Sequence, residues 1–183
     1  MTQTALPYTI HQHCHIFAAW AASRAASVVG CRFKVEKGRG WLESVGLSER
    51  LTSPSQLPSV GKLDGAHRQW RDGIISLAQG EGLRLTHGVA AKLINVYLKS
   101  RFVCGGFENH PKVQALHPPI DSLLLTALVR DKFGGREAVW KAARLKRWSK
   151  FDSHYYETLI QALKDSLPGK PLWHIEEYWK GNQ

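Results

Sequence analysis

Apolar residues recur at three- and four-residue intervals through most of this 183-residue chain, in runs broken by glycine, proline and capping residues. That spacing gathers them on one side of a 3.6-residue helix and leaves the other side to water, so the chain must pack helix against helix. "HQHCHIFAAWAASRAASVVG" sets Ile16, Ala19, Trp20 and Ser23 on one face and stops at Gly30. "DGAHRQWRDGIISLAQG" has Asp64 as a helix cap, Gly80 as its stop, and His67, Trp70, Ile74 and Leu77 on one stripe. Further helices are read in "HGVAAKLINVYLK", in "SLLLTALVRDKFGG" behind the capping Asp121, and in "EAVWKAARLKRWSK", "DSHYYETLIQALKDSL" and "PLWHIEEYW".

Two kinds of segment depart from this pattern. "CRFKVEKGRGWLESVGL" alternates Cys31, Phe33 and Val35 with Arg32, Lys34 and Glu36, which predicts a short extended stretch near the N-terminus. "LTSPSQLPSVGK" reads as a loop, and "RFVCGGFENHPKVQALHPP" as a connection with a short turn of helix inside it. The expected fold is mainly α, one compact helical domain over residues 1–183. Hydrophobic residues make up 43% of the chain, enough for a real core at this length.

The formal net charge of +10 is best balanced by a polyanion or an anionic membrane surface, and nucleic acid is the first expectation. No apolar run approaches the roughly 18 residues of a membrane span, and no basic stretch leads into an apolar one at the N-terminus, which predicts a cytoplasmic protein without a membrane partner. Cys14, Cys31 and Cys104 are odd in number and widely spaced, so all three are read as reduced and structural. In "HQHCH", His11, Cys14 and His15 have a spacing that could hold a transition metal, but no second ligand cluster accompanies them; capping and packing of the first helix is the better reading. Phosphate-gripping Gly-Lys loops, dinucleotide fingerprints and serine nucleophile elbows are absent, so neither a metal nor a nucleotide cofactor is expected.

Lys92, Asn95 and Lys99 form a polar stripe on the helix that starts near Gly88, opposite Val89, Leu93, Val96 and Tyr97. Some thirty residues on, "HPPID" brings Asp121 to the start of the next helix. A lysine on a helix is most often its solvated side, and an aspartate before an apolar run is most often a cap.

"HGVAAKLIN" followed by "PPID" resembles the helix-hairpin-helix DNA glycosylases, the group that includes 8-oxoguanine and endonuclease III type enzymes. In that family a glycine–apolar–glycine hairpin leads into a helix carrying a catalytic lysine, and an apolar–proline–apolar–aspartate segment caps the next helix. Gly88, Val89 and Lys92 match the first part, and Pro119, Ile120 and Asp121 the second. Ala90 stands in place of the second hairpin glycine, and "CGGFENHPK" lengthens the connection between the two catalytic positions. The match covers about a fifth of the chain.

The resemblance implies a DNA glycosylase with AP lyase activity, in which Lys92 is the nucleophile and Asp121 the carboxylate, excising an oxidised purine or another modified base. It implies a hairpin–helix element whose amides near His87, Gly88 and Ala90 hold DNA phosphate. His87 and Lys99 are expected to lower the pKa of Lys92. Arg144 and Arg147 lie in "KAARLKRWSK" with Lys141, Lys146 and Lys150, interleaved with Trp140 and Trp148, a composition that suits phosphate contact. Since a base must leave the stack to be cut from its sugar, a pocket is needed; Trp173, His174, Glu177 and Trp179 are the candidates for its walls and polar contacts. The implied partner is DNA, bound by a monomer, in repair or in attack on modified foreign DNA. The contrasting expectation is a non-catalytic helical nucleic-acid-binding module; a helical ribonuclease is disfavoured because Arg101 and His110 are far apart in sequence.

Overall fold

Thr9 accepts a hydrogen bond from the Gln12 amide while the Gln12 side chain accepts from the Thr9 N–H, and this reciprocal cap starts helix α1, Ile10–Ala26. The computed structural model describes residues 7–180, so the outermost ends of the expected 1–183 domain lie outside the described residues. The inward face of α1 is small: Ala18, Ala19, Ala22 and Ala26 are buried together with His15 and Ser23. Alanines allow close approach of a neighbouring helix, so the bulky residues rotate outward. Ile16 and Trp20, expected in the core, are 42% and 50% exposed.

The predicted extended stretch is replaced by a turn and a helix. The chain reverses at Gly30, with φ of 85°, through an isolated bridge between Val28 and Cys31. Helix α2, Val35–Ser44, begins almost at once. Three alternating residues are too few to hold a strand with no partner edge beside them. Burying Trp41 and Leu42 decides the outcome, and Phe33 packs on Trp41 with ring centroids 4.9 Å apart.

After a loop with two short 3-10 turns, Pro54–Gln56 and Val60–Lys62, comes α3, Leu63–Gly80. Its buried stripe is His67, Arg71, Ile74 and Ala78; Leu77 is 38% exposed, contrary to the expected phase. Asp64 lies inside the first turn and is not its cap. Its carboxylate accepts instead from His117 Nε2 at 2.9 Å and Lys164 Nζ at 2.6 Å, which hold its pKa well below the carboxylate range against the opposing effect of burial.

Helix α4, His87–Leu98, is central and is capped by Thr86 Oγ1, which accepts from the Val89 amide. It continues into a π-helical segment, Lys99–Phe107, and the short α5, Pro111–Gln114. Asp121 caps α6, Ser122–Arg130, as the sequence predicts, with Oδ1 accepting from the Leu124 amide at 2.9 Å. Helix α7, Glu137–Lys146, a 3-10 turn at Trp148–Lys150, helix α8, Ser153–Ser166, and a 3-10 segment at Leu172–Tyr178 complete the order. The architecture is mainly α, and no strand occurs among the described residues. The three cysteines are free, but Cys14 and Cys104 are exposed and take no part in the core.

Arg71 is the most deeply buried arginine among the described residues. Only 1% exposed, it lies 4.7 Å from the Tyr156 ring centroid and donates to Glu157 Oε1 at 2.6 Å. Burial acts to raise the Glu157 pKa, but hydrogen bonds from Arg68, Arg71 and Ser153 outweigh it and bring the group to about 2. A depressed carboxylate contributes stability that is fully present above its ordinary pKa and is lost as pH falls through the folded value. Glu157→Gln is therefore expected to cost about 3–5 kcal/mol at neutral pH, because it leaves Arg71 buried without its counter-ion. In denaturant titrations the gap between the two proteins should narrow as pH drops from 4.5 towards 2.

Candidate active site

Val96 and Lys99 follow Lys92 by four and seven residues, on one face of α4 and its π-helical continuation, so Val96 joins the lysines and does not oppose them as the sequence reading expected. That face turns towards a cavity of about 300 Å³ which they line together with Ala25, Ser100, Pro119, Asp121, Glu176 and Trp179. The two residues singled out by the motif thus meet: Lys92 Nζ donates to Asp121 Oδ2 at 3.3 Å. Their side chains are 11% and 17% exposed.

Each approach has a local cause. The Trp148–Lys150 turn crosses the start of α4 so closely that a Cβ on residue 88 would overlap the Trp148 carbonyl oxygen. Glycine is required there, and the Gly88 N–H donates to the Phe151 carbonyl at 3.1 Å. The crossing carries the Trp148 ring to 4.3 Å from Lys92 Nζ, where its π face attracts the ammonium. On the far side, Asn95 Nδ2 donates to the Pro118 carbonyl at 2.9 Å and fixes the segment that ends in Asp121.

Asp121 divides its two oxygens between two tasks. Oδ1 caps α6, while Oδ2 receives Lys92 and the Trp179 indole N–H, the latter at 3.0 Å. Burial pushes the Lys92 pKa down and the Asp121 carboxylate partly restores it. The expected lowering by His87 and Lys99 is not what operates. His87 Nδ1 lies 3.7 Å from Asp72, and burial holds its imidazole below the ordinary range, so it brings little positive charge. Lys99 is neutralised by Glu176 across the cavity. Burial in turn raises the Glu176 pKa, against the pull of Lys99.

The expected phosphate contact at the start of α4 does not fit. Gly88 and Ala90 are buried inside the helix, the Gly88 amide is taken by Phe151, Val89 by Thr86, and Ala90 by the Thr86 carbonyl. Of the proposed base pocket, Trp179 lines the cavity, whereas Trp173 and His174 stack on each other 4.1 Å apart and do not line it. Glu177 is exposed; the neighbouring Glu176 faces the cavity instead. In a 3-10 segment residues three apart share a face, so Glu176 stands beside Trp179 on the cavity side and Glu177 turns away. Arg144 and Arg147 are exposed at the end of α7, while Trp140 and Trp148 beside them turn inward. In the sequence Trp148 belongs to a basic surface, and no local spacing signals its place over Lys92.

No known protein family, curated protein or solved structure matches this chain. The cap and the charge of Asp121 can be separated by substitution. Asp121→Ala is expected to lower stability by about 1 kcal/mol relative to Asp121→Asn, which keeps an oxygen for the Leu124 amide, as read in denaturant titrations.

Proposed function

We propose that the chain is a DNA N-glycosylase with AP lyase activity, acting through Lys92 and Asp121. The observation that carries this reading is the convergence of a mostly buried amine and a carboxylate, 29 positions apart in sequence, on one base-sized cavity. An aromatic wall at Trp179 and a net positive chain support DNA as the partner. Among the described residues no helix is long and apolar enough to cross a membrane.

The chemistry follows from the pair. Lys92 must first lose its proton, which water accepts so that Asp121 stays ionised; burial of the ammonium favours that loss. The free amine then attacks C1′ of the deoxyribose as the bond from C1′ to the base breaks, and the base departs with the bonding electrons and gains a proton. Positive charge that develops on the sugar is stabilised by the Asp121 carboxylate. Expulsion of the ring oxygen, which takes up a proton, leaves a C1′–Nζ imine. Loss of a C2′ proton then expels the 3′ phosphate and cuts the strand. Glu176 and Lys99 offer the cavity one acceptor and one donor for a base edge. The resemblance to 8-oxoguanine type enzymes points to an oxidised purine, and the reading takes the protein as a monomer.

Borohydride should reduce the imine and link the wild-type protein covalently to DNA containing an abasic or damaged site. Lys92→Gln should abolish the adduct, and an adduct that persists in that variant rules out this nucleophile. Asp121→Asn should slow base release on the order of a hundredfold. The rate of adduct formation should rise with pH and level off below 10.5, the ordinary value for lysine. Removing the carboxylate that stabilises the ammonium should move that rise to still lower pH in Asp121→Asn. A non-catalytic binding module would instead show salt-sensitive DNA affinity, no adduct, and indifference to Asp121→Asn.

A further inference from the structure

We infer that the recess between the end of α1 and the start of α2 is a phosphate-binding site, and that it holds the backbone of the same DNA strand whose base enters the cavity. The second half of this statement rests on the glycosylase reading; the first half does not.

Helix α2 begins without a side-chain cap. Lys34 occupies the cap position and makes no capping hydrogen bond, and the first intrahelical bond is from the Gly38 amide to the Lys34 carbonyl at 3.2 Å. The amides of Val35, Glu36 and Lys37 therefore precede the hydrogen-bonded ladder and have no partner among the described residues. Such a helix start presents donors and the positive end of the helix dipole to an anion. The recess in front of it, about 550 Å³, is lined by Ser23, Arg24, Ser27, Arg32, Lys34 and Glu36, with Phe33 and Val35 behind.

Two further observations point to a ligand. Ser23 is 1% exposed and lines this recess, yet its Oγ has no hydrogen-bond partner. The hydroxyl lies over Gly38, where a Cβ would overlap it, so the first turn of α2 keeps open the space that this unsatisfied group occupies. A buried hydroxyl without a partner is costly unless a ligand or water answers it. The surrounding charge agrees. Lys37 and Arg39 are engaged by Glu81 and Glu43, but Arg24, Arg32 and Lys34 have no ion-pair partner among the described residues. Against these three cations stands one carboxylate, Glu36, which leaves the recess positive.

The recess adjoins the candidate active site. Ala25 lines the cavity while Arg24 and Ser27, beside it on α1, line the recess. A strand leaving the cavity can thus pass onto this cationic edge. The start of α4, where the resemblance would have placed the phosphate, is already filled by Phe151 and Thr86.

Inorganic phosphate is the first probe. Titrated into the full-length ¹⁵N-labelled protein, it should move the amide signals of Val35, Glu36 and Lys37 in a saturable way, and Arg24→Ala with Arg32→Ala together should weaken that binding about tenfold or more. If those signals do not move, the site is refuted, whatever Lys92 does. The second probe is a short duplex with an abasic analogue, its affinity followed against salt. Removing a side chain that neutralises one phosphate should reduce the slope of log affinity against log salt by about 0.9. An unchanged slope in the double variant, with phosphate binding intact in the wild type, would overturn DNA as the source and leave a small phosphate ester as the ligand. Ser23→Ala tests the hydroxyl without adding bulk; weaker phosphate binding with unaltered thermal unfolding is the supporting result, and unaltered binding removes Ser23 from the site. Loss of the Lys92 adduct with phosphate binding retained would sink the enzymatic reading alone.

Discussion

Asn95, buried in the middle of α4, is the point on which the arrangement of the site depends. Its amide nitrogen donates to the Pro118 carbonyl at 2.9 Å and to the Tyr156 hydroxyl at 3.0 Å, and its oxygen faces His67 Nε2 at 2.8 Å. One side chain thereby ties α4 to α3, to α8 and to the segment before α6. The partners are themselves held: His117 bridges Tyr156 and Asp64, and Asp64 reaches Lys164. Among the described residues His67 Nδ1 is the one buried polar side-chain atom of this network left without a partner, and the bonds that are made fix geometry more sharply than apolar packing does. Asp121 lies three residues beyond Pro118 and Lys92 three residues before Asn95, so the anchor stands between the two groups it brings together.

The interior also holds cations in place by similar means. Arg71 lies against Tyr156 and Lys92 against Trp148, each within 5 Å of a ring centroid and each with a single carboxylate as its main counter-charge. Aromatic faces supply attraction without demanding a proton or a hydrogen bond in return. For Lys92 burial moves the amine towards its neutral form. The same device therefore serves a structural ion in one place and a group able to change state in the other.

The sequence reveals the helical class because spacing is a local property, and it reveals the Asp121 cap because capping is settled within four residues. It reveals the Lys92 and Asp121 pair through a resemblance spanning two short segments. It does not reveal the phase of α1, since a face of alanines gives a weak signal while Ile16 and Trp20 on the wet side give a strong one. Helical spacing puts Asn95 on a polar stripe because the partners that bury it are 23 to 61 positions away. Glu176 yields to its neighbour because the 3-10 geometry of that segment has no distinct spacing in so short a run. Trp148 reaches Lys92 through a chain crossing that only the glycine at 88 permits, a requirement that becomes visible once both backbones are in place.

Glu176 and Trp179 follow every other cavity residue in the order of the chain. Detachment of this one segment would open the cavity while leaving the ion pair between Lys92 and Asp121 in place. It would also take from Lys99 its carboxylate and from Asp121 the indole that shares its oxygen. The enclosure of the pair thus depends on this last segment, whereas the meeting of the two side chains depends on Asn95 and Trp148.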